Sequence, residues 1–202
     1  MSTVIDLRTY VGASSRRLLV MVDLQQENYE TLARDNAPAL QRALDNCTAA
    51  IRHAREFSIP IAFTRHGDAG KQHGPGMLEQ ASQSAWIAGL EPRRADMVFE
   101  RQQPSCYSNH LFESVVSQTG SFAIAGLIAE EICLATAIDA SGRGHHVTFL
   151  SDASASRGRH NADSAAVHGL ATRAIELFAD VASTGQWLVA TSQRPLKGHR
   201  YG

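Results

Sequence analysis

Residues 18–23 read Leu18-Leu19-Val20-Met21-Val22-Asp23, five apolar side chains in a row closed by a carboxylate. A continuous apolar run of this length is what a strand covered on both faces requires, and such strands belong to parallel sheets held between helices. Asp23 then stands at a strand's carboxyl end. Downstream, Leu40, Leu44, Cys47, Ile51 and Ala54 step by four and three, which predicts an amphipathic helix over about 38–57. Residues 59–64, 97–100, 121–128, 146–150 and 180–183 are further strand candidates. Between them, helices are predicted over about 110–118 and 131–140. Another begins near Asn161 as N-cap, with Val167, Leu170, Ala174 and Leu177 as its apolar stripe. This alternation of strand and helix predicts an α/β fold, a three-layer sandwich with a mostly parallel, about six-stranded sheet flanked by helices.

The 202 residues suffice for one sizeable core, and 44% apolar with 19% charged residues exclude a disordered chain. One domain is predicted over 17–190, with an arm at 1–16 and a tail at 191–202, since both ends carry little periodicity. A net charge of −1 supplies no bulk field to recruit nucleic acid or an anionic membrane. Cys47, Cys106 and Cys133 form no CxxC pair, which fits neither a disulfide scaffold nor a cysteine-rich zinc site and points to a reducing compartment. The first 17 residues show no basic region followed by an apolar run, and no stretch of about 18 apolar residues occurs. A cytoplasmic protein with no membrane partner is expected.

In open α/β sheets the ligand crevice lies beyond the carboxyl ends of the strands. Asp23, Arg101 and Cys133 each follow a different strand candidate, so a base, a fixed positive charge and a nucleophile are placed to converge. Cys133 falls in the first turn of a helix, whose dipole favours a thiolate, although Glu130 and Glu131 oppose ionisation. From position alone it reads equally as a small buried hydrophobe. Asp23 is either a turn cap or a proton acceptor.

The runs LLVMVDLQ, IPIAFTR, VFERQQPSCYSNHLF, AIAGLIAEEICLATAIDA and HVTFLSDASAS, in this order, resemble the isochorismatase-like cysteine hydrolase superfamily, which includes nicotinamidases. The resemblance spans about 17–190 and is most specific around Cys133 and in the Asp-x-Gln of Asp23 and Gln25. It implies a Rossmann-like sheet and an Asp, Lys, Cys triad in which Asp23 is the base and Cys133 the nucleophile toward an amide or imide carbon. It also implies an oxyanion hole from the main-chain amides of Ala129 and Cys133, beside a cis peptide expected at Ile128-Ala129. Two departures stand out. Arg101 replaces the family's lysine, and one additional residue separates Gly126 from Cys133.

A guanidinium orients Asp23 and holds charge, but with a pKa above 12 it does not relay protons. Gln25, Tyr29, His66 and Tyr107 are expected around the pocket, Tyr107 standing where the family usually has an aromatic residue. Where nicotinamidases carry a zinc cluster, this chain has His66, Asp68 and His73 in altered order. No obligatory metal or other cofactor is expected. Residues 66–92, with seven glycines or prolines, and the QQPSCYSN loop are expected to shape specificity. The expected activity is cysteine-dependent cleavage of a C–N bond in a small amide, imide or ureide through a thioester. The rivals are a vinyl-ether hydrolase that does not use the cysteine and a non-catalytic ligand-binding relative. A homo-oligomer, dimer or tetramer, is expected by the same resemblance.

Overall fold

The computed structural model describes residues 17–67 and 85–192. In chain order these form β1 (Leu19–Val22), α1 (Gln26–Glu56), β2 (Ile61–His66), β3 (Met97–Arg101), α2 (His110–Thr119) and β4 (Ser121–Leu127). They continue with α3 (Leu134–Gly142), β5 (His146–Ala155), α4 (Ser164–Ile175), β6 (Asp180–Ala182) and α5 (Thr184–Thr191). A 3-10 turn, Cys106–Ser108, precedes α2, and a π-type turn, Ala129–Cys133, precedes α3. The six strands make one sheet, all parallel, in the order β3-β2-β1-β4-β5-β6. The order reverses between β1 and β4, and a crevice opens beyond the carboxyl ends of strands at such a reversal.

All four residues of β1 are buried, as the apolar run requires of the strand beneath that crevice. Phe63, Phe112 and Phe149 are among the largest fully buried side chains. On α1, Leu40, Leu44, Cys47, Ile51 and Ala54 are all buried, so the predicted stripe is the packed face. The helix begins earlier than the periodicity indicates because two segments join at Asn36, whose backbone leaves helical geometry (φ −159°, ψ 77°). Asn36 Oδ1 accepts from Ala39 N–H at 3.1 Å, capping the second segment, and Pro38 sits in its first turn, where the missing donor costs nothing.

Three sequence expectations need correction. β5 does not stop at Leu150; a bulge against β4 carries it to Ala155 and brings Ser154 opposite Gly126. Helix α4 starts later, with Asp163 rather than Asn161 as N-cap, its side chain accepting from Ala166 N–H at 2.7 Å. Its inward face is Ala171 and Ile175, whereas Leu170 and Leu177 are 68% and 77% exposed. The 3-4 spacing of leucines thus marks the solvent side of a helix whose contact with the sheet runs through a neighbouring row. Helix α5, entered through a Ser183/Gln186 capping box, was also not evident as a periodic pattern.

Candidate active site

The chain leaves β1 at Asp23 in a left-handed conformation (φ 48°). Three backbone bonds hold it there. Its N–H donates to Thr64 O at 3.0 Å, and its carbonyl accepts from Gln25 N–H at 2.7 Å and from Asn28 Nδ2 at 3.1 Å. The carboxylate Oδ2 accepts a hydrogen bond from Arg101 Nη2. Arg101 starts two strands away, at the end of β3, so its side chain must cross a spacing of roughly 10 Å over the end of β2. Its Nη1 donates to Gln103 O at 3.0 Å, fixing the fork in place. Asp23 Oδ1 is buried and has no hydrogen-bond partner among the described residues. Burial lifts the Asp23 carboxyl to a pKa of about 6; the Arg101 charge and hydrogen bond, and the fields of His66 and Arg157, hold it below where burial alone would put it.

Cys133 arrives from β4, the other strand at the reversal. Gly126 pairs with Val22 at φ 122°, and a β-carbon there would lie 2.2 Å from the Val22 carbonyl oxygen, so only glycine lets β4 pass this close to β1. The non-proline cis peptide is Leu127-Ile128, one bond earlier than the Ile128-Ala129 expected from the sequence. Ala129–Cys133 forms a π-type turn, with Leu134 N–H reaching Ala129 O five residues back. A π turn takes one residue more than an α turn.

Ala129 and Cys133, the expected oxyanion-hole positions, lie at the two ends of this turn. Cys133 is fully buried, and its thiol pKa is pushed well above the ordinary value, by burial first and then by Cys106, Asp23 and Cys47; a hydrogen bond with Ser154 opposes this weakly. At rest the sulfur is therefore a thiol, despite the nearby helix dipole that argued for a thiolate.

The 3-10 turn after β3 divides its neighbours between two directions. Cys106 points inward, its Sγ 3.8 Å from Thr64 Oγ1 and its N–H donating to Thr136 Oγ1 at 3.1 Å, within the fields of Arg101 and Asp23. Burial raises its thiol to about 11. Tyr107, expected at the pocket, is buried. It packs edge-on against Phe112, stacks on His145, and meets His145 Nδ1 through its hydroxyl at 2.8 Å, beside the amino end of β5. At three residues per turn, adjacent side chains diverge by about 120°, so the two pack against different neighbours.

Gln25 is buried beside Asp23, with its Oε1 3.4 Å from the His66 N–H. His66 ends β2 with its side chain exposed. Tyr29 is half-buried against the core on the first turn of α1. Asp68 and His73, named with His66 as metal candidates, lie outside the described residues. Arg157, Asn28 and Ser154 are the neighbours that sequence reading missed, and Glu130 entered it only as a charge opposing ionisation of Cys133. Extending β5 to Ala155 would have placed Arg157 just past a strand end, the same signal that singled out Asp23 and Arg101.

The isochorismatase domain model matches residues 17–186. A sequence search of curated proteins returns no match. Among solved structures, an isochorismatase from Pseudomonas putida KT2440 superposes with a TM-score of 0.74 at 24% identity, covering 85% of this chain and 89% of that one. A cysteine hydrolase from Pseudomonas syringae pv. phaseolicola 1448A gives 0.71 at 18% identity, over 88% and 92%. A ribonuclease from Caenorhabditis elegans gives 0.63 at 20% identity, over 89% and 84%. At these identities the superpositions establish the fold, and proteins named for different activities share it. The match over 17–186, together with an all-parallel sheet that reverses its order beneath Asp23, Arg101 and Cys133, establishes that this chain belongs to the isochorismatase family of hydrolases.

Proposed function

We propose that the protein is a cysteine-dependent hydrolase of a C–N bond in a small amide, imide or ureide. The observation that carries this reading is the buried, unpartnered Oδ1 of Asp23 in the electrostatic company of the Cys133 thiol, with Oδ2 anchored on Arg101. A thiol with a raised pKa needs a base, and a carboxyl near pH 6 is ionised at neutral pH yet still accepts a proton readily. Asp23 removes the thiol proton as the sulfur attacks the carbonyl carbon. The oxyanion is met by the main-chain amides of Ala129 and Cys133. Asp23 returns its proton to the departing nitrogen, leaving a thioester and a free amine or ammonia. Water then gives a proton to Asp23 and its oxygen to the acyl carbon, and the sulfur leaves, reprotonated by Asp23, as the acid is released. Arg101 remains charged throughout, so every proton passes through one carboxylate.

One observation favours a second reading. Cys133 is fully buried with a strongly raised pKa, and an Asp23 at about 6 is a competent acid, which suits vinyl-ether hydrolysis without the cysteine. Ammonia release from a panel of small amides, ureides and imides, compared between wild type and Cys133→Ala, separates the two. The proposed mechanism expects a loss of about 1,000-fold or more in the variant. Unchanged turnover in Cys133→Ala, or no ammonia from any compound, overturns it.

A further inference from the structure

Beyond the end of β5 the chain brings Arg157 to the rim of the crevice. Its backbone N–H donates to Glu130 Oε1 at 3.1 Å, and its Nη2 donates to Asn28 Oδ1 at 2.9 Å. Asn28 in turn donates to the Asp23 carbonyl at 3.1 Å, so Arg157 stands one side chain away from the candidate base and bridges the segments that follow β1, β4 and β5. Arg55, Arg65, Arg101, Arg143 and Arg159 each pair with a carboxylate. Arg157 differs from these in one respect: among the described residues, no carboxylate oxygen lies within 4.0 Å of its guanidinium, while its buried Nε, like those of Arg55 and Arg101, has no hydrogen-bond partner. Glu130, the acid beside it, is engaged by the Arg157 main chain and faces Arg159 at 3.7 Å, and its Oε2 is itself buried without a partner.

A half-buried guanidinium left without an anion beside a reactive centre presents a planar fork suited to a carboxylate. We propose that Arg157 binds the substrate, and that the substrate is a small amide carrying a carboxylate, its anionic end on Arg157 and its carbonyl carbon at Cys133. Glu130 Oε2 is placed to accept an N–H and to repel a second anionic group. A neutral amide of the same shape leaves the Arg157 fork desolvated and unmet, which is the situation in which polar sites discriminate most strongly. This inference rests on the amide-hydrolase reading and sharpens it.

The test compares malonamate, succinamate and glutaramate with the neutral diamides malonamide, succinamide and glutaramide. Ammonia release by wild type is expected to favour an anionic member over its neutral counterpart by about tenfold or more in kcat/KM. Arg157→Gln should raise KM for the anionic amide about tenfold and collapse the anionic-over-neutral ratio of kcat/KM toward one, and Arg157→Lys should restore part of the preference. A role in merely holding Asn28 would lower kcat for both series alike.

Calorimetric titration of the same compounds into folded Cys133→Ala protein reads binding without turnover, so it answers even where ammonia release fails. Binding preference with no release sinks the amidase reading and keeps the anion site. Equal affinity for charged and neutral members, a preference that survives in Arg157→Gln, or no binding of the anionic amides overturns the assignment of Arg157.

Discussion

Asp23 carries three constraints at once: a left-handed backbone, an ion pair with Arg101 and a carboxylate oxygen without a partner. In the proposed mechanism its raised pKa sets the acid side of the activity profile. Because the base must be ionised, kcat/KM should fall tenfold per pH unit below about 6, measured with a neutral substrate so that substrate ionisation does not intrude. The same shift has a stability consequence of opposite sign. The folded form holds the Asp23 proton up to about pH 6 while the unfolded form releases it near 3.8, so this contribution is full below 3.8 and is lost as pH rises through about 6. Removing Arg101 leaves Asp23 as an uncompensated buried charge. Arg101→Ala should therefore move the acid limb upward and destabilise the fold by roughly 3–5 kcal/mol in denaturant melts, whereas Arg101→Lys should return the limb toward its original position.

Among the elements, the β1–β4 contact is the least tolerant. A β-carbon at Gly126 meets the Val22 backbone at 2.2 Å and requires φ 122°, so collision and conformational strain add. Gly126→Ala should cost more than about 2 kcal/mol by guanidinium unfolding. Gly120, the left-handed C-cap of α2, has nothing within 4 Å of its would-be β-carbon, and Gly120→Ala should cost only about 1 kcal/mol.

The packing of α1 on α5 has its own pH dependence. His53 stacks on Phe57 with ring centroids 4.4 Å apart and meets Thr191 Oγ1 at 2.8 Å, and its burial lowers its pKa from 6.5. A depressed histidine pKa means the unfolded chain binds the proton first. This stability is complete above 6.5 and declines as pH falls below it. Thermal melts between pH 7.5 and 5.5 should show that decline in wild type and a shallower one in His53→Gln.

Across the whole molecule, the three thiols report how tightly the layers close. Cys47 is fully buried, donates to Ala153 O at 3.1 Å and has its pKa pushed to about 12, while Cys106 sits at about 11. Neither should react with an aromatic disulfide reagent in the native state, and both should titrate at the rate of global unfolding in guanidinium. Fast native labelling of Cys47 would contradict the packing of α1 on β5.

The sequence alone determined the layers and singled out Asp23, Arg101 and Cys133, because apolar runs buried on both faces and a polar group following their carboxyl ends are local patterns. The apolar run of β1 announced its burial, and the ends of β1 and β3 announced Asp23 and Arg101. Only the tertiary structure decided the rest. A 3-10 turn packs Cys106 against Thr64 and Tyr107 against Phe112 and His145, a π turn leads into α3 at Cys133, a bulge lengthens β5 to Ala155, two residues short of Arg157, and contact with the sheet chooses Ala171 over Leu170. Each of these depends on which direction a side chain faces once distant segments have packed, and no local period records that.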